Sequence, residues 1–308
     1  MSLSKDILAT LSYYDALDTP LSAFEIWQRL IPADPDGQSS EAVPIGEIVR
    51  ALDMPDLSAR IRSRDGFFFL PGRDALIPDR IHSSKVAVSK LKRIRRLARA
   101  LRLVPFVRMV GVTGSLAMRR GYPGSDWDFF VVLRAGRIWT GRTVLTASLQ
   151  LIGKRRHGKY RRDRACLNYF ITDDRLEIPT HDLFSANEYT RIIPLFGRET
   201  FRRFELQNRW IAGMKPNFRP TELVSVWSVR DARRLREFRD IVERTIDAEW
   251  LERWLAGWQK RKIMRNPETK RPGGWIEVTD QALVFLPNPH GPRVYERFRK
   301  RFGELRLG

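Results

Sequence analysis

The sequence predicts an α/β protein in three parts, with a mixed β-sheet in the middle of the chain and helices before and after it. β-rich runs alternate with helical segments between residues 106 and 172, an order typical of a mixed α/β layer. Three short helical patterns and a hairpin signal precede this region, and helical periodicity follows it. We therefore divide the chain into an N-terminal module (1–80), a central domain that begins with a basic helix (81–184) and a mainly helical C-terminal region (185–308).

Composition limits the class of protein before any motif is considered. The chain has 308 residues, of which 43% are hydrophobic and 11% aromatic, enough to build a core and to exclude global disorder. Its 56 Lys and Arg exceed its 36 Asp and Glu, for a net charge of +20. A charge of this size predicts attraction to polyanions, such as nucleic acid, nucleotides or anionic lipid.

Several kinds of site and location are disfavoured. The single cysteine, Cys166, excludes an internal disulfide and a cysteine-cluster zinc site. The four histidines form no HxxxH or HExxH pair. The N-terminus does not resemble a signal peptide, and no run of about 18 apolar residues occurs. We expect a cytoplasmic protein with no membrane span, and the sequence predicts no oligomeric state.

The N-terminal elements are predicted from local signals. Apolar periodicity indicates a helix over 5–17, and a capping box at Ser22–Glu25 opens a second helix. A Pro/Gly/Ser-rich loop at 32–43 precedes a third helix at about 45–53. Asp65-Gly66 between two extended runs is a hairpin signal. Three short helices followed by a hairpin resemble a winged helix.

A winged helix commonly reads duplex DNA with its third helix. Here that helix carries Arg50 against Glu47 and Asp53, which is a poor composition for contacting phosphates and base edges. The sequence therefore favours packing or protein contact for this module, and a DNA-binding regulator remains an alternative. The hairpin is more basic, with alternating arginines at Arg60, Arg62 and Arg64.

A long helix over 83–103 connects this module to the central domain. Its buried stripe is predicted at Leu91, Ile94, Leu97, Ala98 and Leu101, and Lys and Arg fill most other positions. This basic surface is either a solvated helix face or a groove that follows phosphates.

The segment that carries the chemistry begins where the first strand of the central domain, 106–112, ends. Gly114-Ser115 then forms a tight turn before a short helix. Glycine allows the backbone to approach a phosphate closely, serine supplies a hydroxyl, and the free N–H groups of the turn attract an anion. The sequence therefore predicts a phosphate cradle at this turn.

Two carboxylates follow at the start of the next predicted strand, 126–133. Asp126 and Asp128 are two residues apart, so their side chains lie on one face of the strand, while Trp127 and Phe129 point to the other. Two carboxylates beside a phosphate cradle are typical of a site for Mg²⁺. Such sites support in-line displacement at phosphorus.

This pattern, GS followed by SDWDFFVV, resembles the DNA polymerase β-type nucleotidyltransferase superfamily over about residues 106–178. The resemblance implies a nucleotidyltransferase domain with a mixed sheet. It also implies that Gly114 and Ser115 bind the triphosphate of an NTP and that Asp126 and Asp128 ligate Mg²⁺ or Mn²⁺. The implied reaction moves a nucleoside monophosphate from the NTP to an acceptor and releases pyrophosphate.

The sequence departs from the family at the third carboxylate, which a later strand usually supplies. The matching strand here is ACLNYFIT (165–172), which offers Asn168 or Cys166. Asparagine can ligate Mg²⁺ through its carbonyl but accepts no proton at neutral pH. Glu177, on a predicted returning strand at 175–178, and Asp182 are the other candidates. Because the third carboxylate is not evident, a second hypothesis stays open, in which the protein is a catalytically impaired nucleotide-binding sensor or regulator.

A basic loop at 154–164 lies between the two strands that frame the predicted site. It is either a solvated charge run or a contact surface for the triphosphate or a nucleic-acid acceptor, RNA more than DNA. The contact residues would be Lys154, Arg155, Arg156, Lys159, Arg161 and Arg162.

The periodicity of apolar residues predicts the remaining helices and strands. Residues 137–152 and 222–262 show helical patterns, and ALVFLP (282–287) reads as a short strand before a basic terminal helix. Trp250, Trp254 and Trp258 form a stripe along one helix. We expect this stripe to pack in the core or between helices, and an exposed stacking surface is the alternative.

Overall fold

The computed structural model of the protein describes residues 3–33, 41–220, 225–230 and 232–307. The helices of these residues are α1 (Leu3–Asp15), α2 (Ala23–Gln28), α3 (Ile45–Leu52), α4 (Pro55–Ser58), α5 (Leu76–Leu101), α6 (Gly114–Ala117), α7 (Ile138–Leu151), α8 (Leu183–Tyr189), α9 (Arg198–Gln207), α10 (Ile211–Met214), α11 (Arg233–Ile246), α12 (Glu249–Arg265) and α13 (Gly291–Leu307). The strands are β1 (Arg62–Arg64), β2 (Phe67–Phe69), β3 (Val107–Val112), β4 (Trp127–Leu133), β5 (Ala165–Thr172), β6 (Ile193–Phe196), β7 (Trp275–Val278) and β8 (Ala282–Leu286).

Six strands form one mixed sheet in the order β6-β3-β4-β5-β8-β7. β4 and β5 are parallel, and the other neighbouring pairs are antiparallel. The predicted α/β class with a mixed sheet and helices beyond it is therefore confirmed. β6 and β7 were not predicted, because each is a run of only four residues without clear alternation.

The predicted returning strand at 175–178 is wrong. Leu176 and Ile178 are fully buried, as a strand would have them, but their backbone N–H groups donate to side chains instead of a neighbouring strand. The Leu176 N–H donates to Gln207 Oε1 at 3.2 Å, and the Ile178 N–H donates to Asn208 Oδ1 at 2.8 Å. Side chains at the end of α9 thus replace the expected sheet partner.

The N-terminal elements form as predicted, although the winged-helix interpretation itself remains a prediction. The capping box is present, with the Glu25 N–H donating to Ser22 Oγ. Asp65 and Gly66 both have positive φ and join β1 to β2, as a two-residue hairpin requires. Part of the predicted loop at 32–43 lies outside the described residues.

The C-terminal helix α13 packs against the N-terminal module, and its Phe298 lies in the core of that module.

The two faces of the six-stranded sheet are covered by different helices. α5, α7 and α12 pack on the face that carries Trp127 and Phe129, both fully buried as predicted. α8 and α9 cover the other face, which carries Phe130. Because side chains alternate along a strand, Asp128 belongs to the α8 face.

The predicted helical pattern over 222–262 forms only from Arg233 onward, as α11 and α12. The prediction is wrong for residues 225–230, where the Val229 N–H donates to the Leu195 carbonyl of β6 at 2.7 Å. Residues 222–224 and 231 lie outside the described residues. The two helices are separated at Asp247, which is ion-paired with Arg134 and Arg137.

The expectation that the tryptophan stripe of α12 packs in the core is wrong. Trp250, Trp254 and Trp258 are 67%, 61% and 45% exposed. Glu252 and Gln259, both buried, face α7 instead and hydrogen-bond to it. The tryptophans lie on the opposite side of α12 and therefore face solvent.

Among the described helices, none combines the length and the apolar character that crossing a membrane requires.

Candidate functional site

The candidate site lies at the end of the sheet where β3 ends and β4 and β5 begin. β4 and β5 are parallel neighbours, so residues at their starts meet at one edge. The antiparallel neighbour β3 ends at the same edge and continues into the Gly114 turn. The topology therefore brings together Gly114, Asp126, Asp128 and Cys166, which the sequence separates by up to about fifty residues.

Gly114 has a geometry that only glycine accommodates well. Its φ is +65°, and a Cβ at this position would lie 2.8 Å from Asp128 Oδ2. The left-handed backbone is unfavourable for other residues, and the missing side chain lets the turn contact the carboxylate. The group that this turn approaches is Asp128, and the predicted approach to a phosphate stays a prediction. Ser115 is half-buried beside it.

An acid that the sequence analysis missed binds this turn. The Gly114 N–H donates to Glu188 Oε1 at 2.7 Å. Glu188 lies on α8, 74 residues further along the chain, and no local pattern marks it. The backbone group expected to bind a phosphate oxygen thus binds a carboxylate oxygen, which has similar charge and hydrogen-bonding chemistry.

The two predicted metal ligands lie together in a crowded acidic environment. Asp126, Asp128 and Cys166 each place one potential ligand atom within 4.8 Å of the others. Burial, the neighbouring Asp126 and then Glu188 raise the pKa of Asp128 to about 7. Like charges held this close are costly unless a cation or proton compensates them.

The donor chemistry fits a hard divalent cation better than a soft one. Mg²⁺ and Mn²⁺ prefer carboxylate oxygens, which Asp126 and Asp128 supply. Burial, with Asp128 next, raises the pKa of the Cys166 thiol to about 12. A neutral thiol is a poor metal ligand, so Cys166 fits the role of a small neighbour rather than a third ligand.

Arg156 compensates part of the negative charge at this site. Its Nη1 lies 2.6 Å from Asp126 Oδ2 and 3.1 Å from Cys166 Sγ. A guanidinium in this position competes with a divalent cation for Asp126. One residue of the predicted polyanion loop therefore lies within the site itself.

Asn168 and Cys166 both occupy the strand that was expected to supply a third carboxylate. Cys166 is the register partner of Asp128. The register then shifts by one residue at Asn168, as in a β-bulge, and Asn168 Nδ2 donates to Asp128 Oδ1 at 3.4 Å. No carboxylate of β5 therefore faces the aspartate pair, since residues 165–172 contain none.

The two other candidates for the third carboxylate lie elsewhere. Glu177 is exposed, and its Oε1 lies 3.2 Å from His181 Nε2. Asp182 caps α8, where its Oδ1 accepts the Ser185 N–H at 2.7 Å. Neither belongs to the group formed by Asp126, Asp128 and Cys166.

The basic loop at 154–164 has two kinds of residue. Lys154, Arg155 and Arg156 are half-buried; Lys154 Nζ lies 5.7 Å from the Trp127 ring centre, and burial lowers the pKa of Arg155. The outer part is exposed and consists of Lys159, Arg161 and Arg162.

Comparison with known proteins adds no relative, since no family model, curated protein or solved structure matches the chain.

Proposed function

We propose that the protein is a metal-dependent nucleotidyltransferase that moves a nucleoside monophosphate from an NTP to an acceptor. The observation that carries the proposal is the Gly114 turn, whose N–H binds an anionic oxygen directly beside the Asp128 carboxylate. An NTP needs both features in one place, an N–H donor for its phosphate oxygens and carboxylates that hold its cation. Gly114 and Asp128 also belong to the amino-acid pattern that resembles the polymerase β-type superfamily.

In this proposal an NTP phosphate replaces Glu188 at the Gly114 N–H, and Ser115 donates a second hydrogen bond. Asp126 and Asp128 would hold Mg²⁺ or Mn²⁺, which supplies charge neutralisation on the phosphates. Arg156 would leave Asp126 and pair with the triphosphate, since guanidinium groups bind phosphate oxygens well. Orientation and charge compensation account for most of the catalysis that phosphoryl chemistry requires.

The alternative is a nucleotide-binding sensor or regulator with little or no turnover. Two observations favour it. The side chains that reach Asp128 from β5 are the thiol of Cys166 and the amide of Asn168, and the amide cannot act as a general base. Arg156 is also paired with Asp126, and Glu188 accepts the Gly114 N–H, so a nucleotide and its cation would have to displace both.

The deciding experiment incubates the full chain with each α-³²P-labelled NTP, Mg²⁺ or Mn²⁺, and total RNA. The double variant Asp126→Ala/Asp128→Ala removes the carboxylate pair. The matched control Asp53→Ala/Asp56→Ala removes two exposed acids from the N-terminal module.

Label transferred by the wild type and the control, and lost in the site variant, supports the enzyme and names the acceptor. Metal-dependent NTP binding without transfer, lost only in the site variant, favours the sensor. If the site variant binds and transfers like the wild type, both readings of the aspartate pair are wrong.

A further inference from the structure

The outer face of α12 carries a row of exposed tryptophans. Trp250, Trp254 and Trp258 follow one another at intervals of four residues and are 67%, 61% and 45% exposed. Soluble proteins seldom expose aromatic side chains in a continuous row, and such a row indicates a binding surface. We call these three side chains the tryptophan row.

The tryptophan row has the spacing along the helix that a series of base-stacking positions needs. Four residues of an α-helix rise about 6 Å, so the three indole side chains are spaced regularly along the axis. Lys262 Nζ lies 5.1 Å from the Trp258 ring centre, which places a cation beside the last ring. Proteins that bind single-stranded nucleic acid combine stacked aromatic side chains with such cations.

α12 is held so that the row stays exposed. Glu252 accepts the backbone N–H groups of Trp139 and Thr140, and Gln259 Nε2 donates to the Trp139 carbonyl. These contacts fix the inner face against α7. The row is therefore displayed before any ligand binds, which lowers the entropic cost of binding.

The charge around the row is complementary to a polyanion. The exposed acid of α12 is Glu249, which is already paired with Arg137. The exposed bases of the same helix are more numerous: Arg253, Arg261, Lys262 and Arg265. A phosphate backbone fits this surface better than an acidic or purely apolar partner.

We propose that the outer face of α12 binds single-stranded nucleic acid, with bases stacked on the tryptophan row and phosphates on the flanking bases. This inference does not rest on the proposed function, because α12 packs on the sheet face of Trp127 and Phe129, opposite to the face of Asp128.

The test measures binding of the full chain to fluorescein-labelled oligo(U), oligo(dT) and a duplex RNA, each of about 12 nucleotides. NTP is omitted and EDTA is present, so that catalysis plays no part. Fluorescence anisotropy gives the affinity, and quenching of tryptophan emission reports stacking. The two single strands distinguish RNA from DNA as the source of the same chemistry.

We expect single strands to bind more tightly than the duplex and to quench tryptophan emission. Trp254→Ala should weaken binding about tenfold, Trp254→Phe should retain most of the affinity, and Tyr295→Ala, an exposed aromatic on α13, should have no effect. Arg261→Ala/Lys262→Ala should lower the salt dependence of binding by roughly 1.4 in log–log slope. The matched pair Arg299→Ala/Lys300→Ala removes the same charge from exposed positions of α13 and should leave the slope unchanged.

Several outcomes overturn the inference. Equal binding of duplex and single strands without an effect of Trp254→Ala would indicate general charge attraction. Self-association, or binding to phosphatidylglycerol-containing vesicles, that Trp254→Ala abolishes while oligonucleotide binding is unchanged would assign the row to a second copy or a lipid surface. Absence of oligonucleotide binding would also refute it.

The two proposals fail in different ways. Oligonucleotide binding that persists in Asp126→Ala/Asp128→Ala, with no nucleotidyl transfer by the wild type, would refute only the enzyme. Nucleotidyl transfer by the wild type, together with oligonucleotide binding that Trp254→Ala leaves unchanged, would refute only the role of the tryptophan row.

Discussion

At the scale of single residues, Gly114 and Glu188 determine what the candidate site can bind. Gly114 combines a left-handed backbone with a contact to Asp128 that leaves no room for a side chain. Glu188 occupies the N–H of the same residue. The sequence shows the position of Gly114, because a glycine follows a predicted strand. The hydrogen bond of Glu188 depends on where α8 packs, which the sequence does not show.

Gly114→Ala is expected to damage both stability and activity. A left-handed alanine costs about 1–2 kcal/mol, and the new Cβ would displace the Asp128 carboxylate. Under the proposed function, displacement of a proposed metal ligand should lower nucleotidyl transfer roughly a hundredfold. Gly124→Ala is the matched control, because a Cβ there meets no atom within 4 Å. Urea denaturation and the transfer assay measure the two effects, and equal behaviour of both variants would contradict the assigned geometry.

Glu188→Gln is expected to tighten NTP binding. The substitution removes the negative charge that competes with phosphate for the Gly114 N–H, while an acceptor oxygen remains to hold α8. Calorimetric titration with an NTP and Mg²⁺ measures the change. Glu199→Gln, at an exposed position of α9, should bind as the wild type does. Weaker binding by Glu188→Gln would mean that Glu188 supports the bound nucleotide rather than competing with it.

At the scale of elements, buried acids connect the C-terminal helices to the sheet. Glu243 on α11 accepts the Phe106 N–H at 2.6 Å and forms a two-bond ion pair with Arg108 at 2.7 and 2.8 Å. Burial opposes ionisation of Glu243, but these hydrogen bonds outweigh burial, so its pKa is lowered. Its charged form therefore stabilises the fold.

The Glu243 contact predicts a pH dependence. Because the folded pKa lies below the usual value of 4.5, the stabilisation is complete above the unfolded pKa. It is lost as the pH falls through the folded pKa. Glu243→Gln should cost roughly 3 kcal/mol at neutral pH and should flatten the loss of stability below pH 4.5. Glu237→Gln, in an exposed pair with Arg233, should cost less than about 1 kcal/mol. Urea midpoints at several pH values test both expectations.

At the scale of the whole molecule, the two ends of the chain pack together. Phe298 of α13 contacts Tyr13 of α1 with ring centres 5.6 Å apart, and Arg301 forms an ion pair with Asp15 at 3.2 Å. β8 lies beside β5 in the central sheet. The C-terminal region therefore completes both the sheet and the core of the N-terminal module.

Phe298→Ala is expected to destabilise the N-terminal module by about 3–5 kcal/mol, because the side chain is almost fully buried. Tyr295→Ala, one turn earlier and exposed, should cost less than about 1 kcal/mol. Hydrogen exchange of α1 and of β4 locates the loss. Exchange that increases in β4 but not in α1 would contradict the contribution of α13 to the module core.

The central part of the site could be predicted because its signals are local. The Gly114 turn, the shared face of Asp126 and Asp128, and the buried Trp127 and Phe129 all follow from strand alternation within a few residues. The hairpin at Asp65-Gly66 follows from the same kind of local backbone preference.

The sequence by itself therefore determined the α/β class, the turn and the aspartate pair, since each depends on the conformational preferences of neighbouring residues. Only the tertiary structure decided that Glu188 binds the Gly114 N–H, that Arg156 pairs with Asp126, and that the tryptophans of α12 face solvent. Helical periodicity shows that a helix has two faces but does not show which one is buried. In α12 the buried face is the one whose Glu252 and Gln259 hydrogen-bond to α7, more than one hundred residues away in the chain.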